Sequence, residues 1–323
     1  MGEWMGKFIR FCFLLGAVLA ALPPSAHTAD LAGSHTRPLS IGFNQAWFHN
    51  RYAYQYLDGS FNADEAVRIF RLAKSAGAKT VRLWFFEGLE FPMLEWRGDE
   101  LKGLRADFIR NVLHTLELAR REGVQVYMTL LDAQVYRISE DESQNDQQRD
   151  VANRARFKKL LSRTGFRLFL ERAAHPLLRA IQEAGLSGVI SKVDLMNEAD
   201  VAVDRAAFEG SFFGVGWREA SRFLCQGREA IRTTRGFERT PVSFSVRLSW
   251  FLPLPSGFFD EDGPMACADF FDFHSYSDSG NIDRCHWVKH HALRDPRPVI
   301  LGEFGQSYFT AKFDDELQAK VTR

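Results

Sequence analysis

Two glutamates sit where a chain would place reactive groups. Glu198 closes the run Asp194-Leu195-Met196-Asn197-Glu198, and Glu303 lies in Leu301-Gly302-Glu303-Phe304-Gly305. Each run is short, apolar and of strand type, so each glutamate stands at the carboxyl end of a strand. A pair of carboxyls flanking one glycosidic bond, roughly 5 Å apart, is what double displacement requires. One attacks the anomeric carbon while the other protonates the leaving oxygen. The two roles need different surroundings: the acid must keep its proton near neutrality, and the nucleophile must stay ionised.

The elements that must hold these residues alternate. From residue 41 onward, apolar runs of strand length alternate with amphipathic stretches, the signature of βα units around a parallel sheet. The strands are expected at Ile41–Trp47, Thr80–Phe86, Val124–Leu131, Val189–Met196, Val242–Trp250, Phe270–Tyr276 and Val299–Phe304. Asn62 reads as the cap of a helix that carries Ala66, Val67, Ile69, Phe70 and Ala73 and stops at Gly77. A second helix presents Phe108, Ile109, Val112, Leu113 and Leu116 and ends at Gly123; a third spans Phe166–Ala184 with Pro176 interrupting it, and a fourth Trp217–Thr233. The polar stretch 132–150 is long for a connector, which at that end of a parallel strand suggests a substrate-side excursion.

An α/β chain of this kind forms either an open doubly wound sheet or a closed (β/α)8 TIM barrel. Polar and ionisable residues at the carboxyl ends of many strands favour the barrel, whose active sites are assembled there. An open sheet would usually carry a Gly-rich first turn, and none follows Trp47. In a barrel, strands four and seven face each other, which brings Glu198 and Glu303 to one bond. Phe313–Val321 reads as the start of a seventh helix, and the sequence then ends at Arg323. The expectation is therefore a barrel truncated after strand seven, with strands one and seven left as edges.

Four strand-end motifs occur in the right order: Arg82 in Val81-Arg82-Leu83, Asn197-Glu198, His274-Ser275-Tyr276 and Gly302-Glu303-Phe304-Gly305. Together they resemble the cellulase and β-mannanase family (glycoside hydrolase family 5) within clan A of retaining glycoside hydrolases, from about Ile41 to the end of the chain. The resemblance implies that Glu198 is the acid/base and Glu303 the nucleophile. It also implies that Arg82 and Tyr276 donate hydrogen bonds to Glu303, that Asn197 binds the sugar 2-hydroxyl, and that His274 lines the same mouth. Each also has a plainer reading as a hydrogen-bonded strand-end residue without a chemical role. Trp47, Trp84, Phe85, Trp250 and Phe251 lie at or just beyond strand ends, where their faces either stack on sugar rings or pack into the core. Asp132 and Gln134 are candidates for binding hydroxyls, and Glu87 is a further carboxylate, more simply read as a solvated loop acid. The family often has a histidine where this chain has Leu131-Asp132. The implied activity is that of a retaining endo-β-glycosidase on a β-linked glucan or mannan, with no metal or organic cofactor. The alternative is a carbohydrate-binding pseudoenzyme of the same fold.

Composition limits the partners. The 41 Lys and Arg balance 41 Asp and Glu, and no long basic run is present, so a nucleic-acid or acidic-membrane partner is not indicated. A neutral glycan fits better. Residues 1–29 read as a signal peptide: Lys7 and Arg10 precede the apolar run Phe11–Leu22, followed by Pro23, Pro24 and small residues. That run falls short of the roughly 20 residues of a bilayer span. Residues 30–323 then form a secreted or periplasmic barrel domain with no membrane insertion after cleavage. Export leaves Cys225, Cys267 and Cys285, an odd number that allows at most one internal disulfide. Cys267 with Cys285 closes the shortest loop, and free buried thiols are the alternative.

Overall fold

The computed structural model describes residues 40–46, 48, 54–86, 93–98, 100–133, 160, 162–200, 216–247, 262–276 and 295–305, with only the backbone described at 54, 247, 275, 276, 304 and 305. The expected signal peptide, Trp47, Glu87, Gln134, Trp250, Phe251, Cys285 and the expected seventh helix lie outside them. No helix among the described residues is long and apolar enough to cross a membrane.

Ten strands are described: β1 (Gly42–Asn44), β2 (Thr80–Trp84), β3 (Leu94–Arg97), β4 (Glu100–Leu104), β5 (Gln125–Asp132), β6 (Ile190–Asn197), β7 (Val242–Ser243), β8 (Ser245–Arg247), β9 (Phe271–Tyr276) and β10 (Val299–Gly305). Five pair in the order β1-β2-β5-β6-β7 and three in the order β10-β9-β8, every pairing in these two sheets being parallel. Because β7 and β8 are separated only by Phe244, they are one path of chain broken at that residue. The described wall is therefore the expected run of seven barrel strands. β1 and β10 form its two ends, where Ile41 (52% exposed), Val299 and Leu301 (53%) are exposed apolar side chains.

Both faces of the wall are buried, as a barrel strand requires. On β2, Val81 and Leu83 join the apolar layer beneath the helices, whereas Arg82 and Trp84 point the other way, following the strand period of two. Phe85 continues the outer series: it is wholly buried and stacks on Tyr56 at 5.2 Å, so it is core and not a sugar platform.

The helices cover the outside. α1 (Ala63–Ser75) is capped by Asn62, whose Oδ1 accepts the Glu65 N–H at 3.1 Å, and its Ala66, Ile69, Phe70 and Ala73 are buried. α2 (Ala106–Glu122) buries Phe108, Val112, Leu116 and Ala119 and ends at Gly123. The expected third helix starts earlier than its pattern suggested: α3 (Arg163–Phe169) passes through a π-helical turn (Leu170–Ala174) into α4 (His175–Glu183). Pro176 ends no helix. The His175 N–H bonds the Leu170 carbonyl five residues back, and this wider turn is compatible with a residue that lacks an N–H and crowds the preceding turn. α5 (Trp217–Arg232) packs Gly227 against Leu195 of β6, and a Cβ at 227 would collide with both Leu195 methyl groups.

Three expectations need correction. The first strand ends at Asn44 and not at Trp47, since the chain bends at Ala46 and Phe48 to bury both. An antiparallel hairpin, β3–β4, follows strand two, where no element is expected from the sequence. Finally, the disulfide joins Cys225 of α5 to Cys267, not Cys267 to Cys285. Loop length was the wrong criterion, because bridging requires Cα atoms within about 7 Å; here they are 5.1 Å apart across a sequence separation of 42.

Candidate active site

Side chains from β1, β2, β6, β8, β9 and β10 converge on one buried polar group. At its centre Arg82, only 3% exposed, uses its planar fork on three strands. Nη1 donates to Glu303 Oε1 at 2.5 Å and to Asn44 Oδ1 at 3.1 Å. Nη2 donates to Asp194 Oδ2 at 2.6 Å and to Asn197 Oδ1 at 2.7 Å. Burial works against the guanidinium charge, but the carboxylates of Asp194 and Glu303 overcome it and hold the group well above its ordinary value. The arginine is thus a permanent cation, and Glu303 is the oriented anion beside it.

Asn197 is fixed from both ends. Its Oδ1 accepts from Arg82, and its Nδ2 donates to Asp132 Oδ1 at 2.9 Å. Asp132, expected as a hydroxyl binder, is instead 2% exposed and orients this amide. Glu198 follows in the left-handed region, with φ 47°, the sole non-glycine at positive φ among the described residues. Its N–H donates to Ser245 Oγ at 3.0 Å, and that hydroxyl donates to Asp194 Oδ2 at 3.0 Å. The break between β7 and β8 brings Ser245 to this position, its own N–H donating to Asp194 Oδ1 at 3.1 Å.

His274 joins the two glutamates. Its Nδ1 lies 3.1 Å from Glu198 Oε1 and 3.6 Å from Glu303 Oε2, and the ring is wholly buried. Burial disfavours the charged ring, but the Glu303 charge and the hydrogen bond with Glu198 outweigh it and raise its pKa to about 9. One ligand atom from each of Glu198, His274 and Glu303 falls within a 4.8 Å span. With Glu303 already paired to Arg82, the group reads as a carboxylate pair bridged by an imidazole.

Five sequence-derived candidates, Arg82, Asn197, Glu198, His274 and Glu303, are therefore together. Trp84 is 6% exposed and has the Arg82 guanidinium carbon 5.3 Å from its ring centre, so it backs the arginine from within the wall. Tyr276 lies on β9 beside Gly305, its side chain not described; Trp47 and Trp250 fall outside the described residues. Sequence reasoning missed Asn44, Asp194, Ser245, Asp272 and Tyr127. For the two aspartates a signal existed: each is an acid inside a run otherwise apolar enough to be buried on both faces, where an unpaired charge would be costly.

No protein-family model matches the chain, and no curated protein matches it in sequence. Solved structures do match in fold. The β-1,4-mannanase from the sea hare Aplysia kurodai superimposes with a TM-score of 0.60 at 17% identity, covering 83% of this chain and 80% of that one. The β-mannanase from the blue mussel Mytilus edulis gives 0.56 at 13% identity, covering 88% and 91%. The β-1,4-D-mannanase from Cryptopygus antarcticus gives 0.56 at 12% identity, covering 87% and 88%. The chain has the β/α barrel fold that these enzymes share.

Proposed function

We propose that the protein is a retaining endo-β-glycosidase that hydrolyses a β-linked polysaccharide of mannan or glucan type. The observation that carries this reading is the pair of buried carboxylates, Glu198 and Glu303, both held at the Nδ1 edge of one imidazole with one ligand atom from each inside 4.8 Å. Such closeness suits direct attack by one carboxylate, because inverting enzymes leave roughly 6.5–9.5 Å for a water between them. Glu303, anchored to a permanent cation, is the nucleophile. Glu198 protonates the leaving oxygen and later draws the proton from the attacking water. Asn197, locked by Arg82 and Asp132, presents the remaining N–H of its amide to a sugar hydroxyl. Mannan is the first substrate to try, since the solved structures of similar fold include β-mannanases. Export to a secreted or periplasmic location accords with the signal-like residues 1–29 and with the Cys225–Cys267 bond, which persists in oxidising compartments.

The test is reducing-sugar release from β-mannans, β-glucans and bacterial exopolysaccharides, with variants of each glutamate. Glu303→Ala should lose at least about a thousandfold in kcat and, on an activated substrate, be partly rescued by azide with inverted product configuration. Glu198→Ala should mainly harm substrates with poor leaving groups, and azide should rescue it with retention. Wild-type rates in either variant would overturn the assignment. Tight glycan binding by a folded wild type without hydrolysis would instead support a binding protein of this fold.

A further inference from the structure

Asp272 is a wholly buried acid to which hydrolysis by Glu198 and Glu303 assigns no part. Asp272 lies two residues before His274 on β9, so both side chains project from the same face of the strand. Its Oδ2 is anchored by the Tyr127 hydroxyl, which donates at 2.5 Å. Its Oδ1 has no hydrogen-bond partner, nor has His274 Nε2, and the two atoms are 3.8 Å apart at residues with no exposed surface. On the far side stands Gly302, immediately before Glu303 at the irregularity in the β9–β10 register. A Cβ at 302 would collide with Asp272 Oδ1 and lie 2.8 Å from its Cγ. The seventh barrel strand thus omits a side chain at the one point where this carboxylate passes behind the nucleophile.

We propose that Asp272 is a positioning residue for the paired glutamates, holding the His274 ring with Nε2 toward its own carboxylate and Nδ1 toward Glu198 and Glu303. The 3.8 Å gap exceeds a hydrogen bond, and a small swing of the ring closes it once Nε2 carries a proton. With both nitrogens protonated, Nδ1 can only donate. It then occupies Glu198 Oε1, and the acid proton is carried on Oε2. Without Asp272 a neutral ring can turn its Nδ1 lone pair to Glu198 and take that proton, which would quench the acid.

The charges around the pair are consistent with this role. Facing it are Arg82 from β2, Tyr127 from β5, Lys192 and Asp194 from β6, Glu198 just beyond β6, and Glu303 from β10. Burial raises the Asp272 carboxyl above its ordinary value, and the charges of His274 and Arg82 offset this only in part. Burial also raises the Tyr127 phenol, with Asp272 and Asp194 adding to it, so the phenol remains a donor.

The consequence for turnover rests on the glycosidase reading, but the ring state does not. The experiment is a nitrogen-15 NMR titration of histidine-labelled full-length protein, with the His274 signal assigned by its loss in His274→Gln. The wild type should show a doubly protonated ring at pH 7, and Asp272→Asn should lower its proton affinity about tenfold. The basic limb of kcat/KM should move to lower pH by the same factor, with kcat falling most for poor leaving groups. A purely structural role would reduce stability without moving either titration. Should Asp272→Asn not fold, the wild type decides: a ring protonated on both nitrogens at pH 7 supports the proposal, and a neutral ring overturns it. Unchanged His274 titration in a folded Asp272→Asn also overturns it. If no glycan is cleaved while the titrations behave as stated, the glycosidase reading falls and the Asp272–His274 pairing stands.

Discussion

Arg82 does what no lysine could do in its place. A single ammonium cannot reach Asn44, Glu303, Asp194 and Asn197 at once, whereas a flat guanidinium meets all four in one plane. Glu198, beside it, adopts a backbone conformation that costs on the order of 1–3 kcal/mol for a residue with a side chain, and the Ser245 bond to its N–H helps hold it there. His274 makes the site sensitive to pH. Its folded pKa of about 9 lies above the ordinary 6.5, so its stabilising contribution is complete below about pH 6.5 and is lost as pH rises through 9. The melting temperature should therefore fall more steeply between those limits in the wild type than in His274→Gln, as followed by circular dichroism. At this scale the sequence was legible where chemistry and position coincide. Asn197, Glu198, His274 and Glu303 are polar residues toward strand ends, and Arg82 is a charge inside an apolar strand. Asp272 and Asp194 also lie within their strands, where the pattern marked them only as buried, and Asp132, a candidate for binding hydroxyls, holds Asn197.

Local departures from regular structure place the site. The interruption at Phe244, between β7 and β8, allows Ser245 to meet both Asp194 and Glu198, and the register shift between Leu301 and Glu303 accompanies the turn of Glu303 toward Arg82. The π turn before Pro176 keeps one helix running where a break was expected. These features cost hydrogen bonds locally and are invisible to a periodicity argument, because a bulge or a π turn changes the phase of the pattern without changing its composition. Helix α5 shows a clearer constraint. Gly227 lets the helix approach Leu195, the residue after Asp194, more closely than any side chain would permit. Gly227→Ala should destabilise the protein by about 1–3 kcal/mol, measured by urea unfolding. It should also reduce activity, since the strand bearing Asp194 and Glu198 is displaced; an unchanged midpoint would contradict this packing.

Across the whole molecule, residues far apart in sequence are held together by the barrel wall and by one covalent bond. Arg82 and Glu303 are joined across a separation of 221 residues, so the site exists only once β2, β6, β9 and β10 are in place. The Cys225–Cys267 bond ties α5 to the segment leading into β9, the strand that carries Asp272 and His274. Closing a loop of that size restricts the unfolded chain, and its loss should cost about 2–4 kcal/mol. Reduction, or Cys225→Ser, should lower the melting temperature, whereas Cys285→Ser should leave this bond intact by thiol titration. A Cys285 found bridged to Cys267 in the isolated protein would refute the pairing.

The sequence alone determined the alternation of strands and helices, the order of the barrel strands and the two glutamates, because apolar periodicity and strand-end chemistry are local properties. Only the tertiary structure decided which cysteines meet, that Phe85 packs beneath the helices while Trp84 backs Arg82, that Asp132 holds an amide, and that Asp272 stands behind His274. Those are relations between residues brought together by strand register and close packing, and no local pattern encodes the distance between two strands.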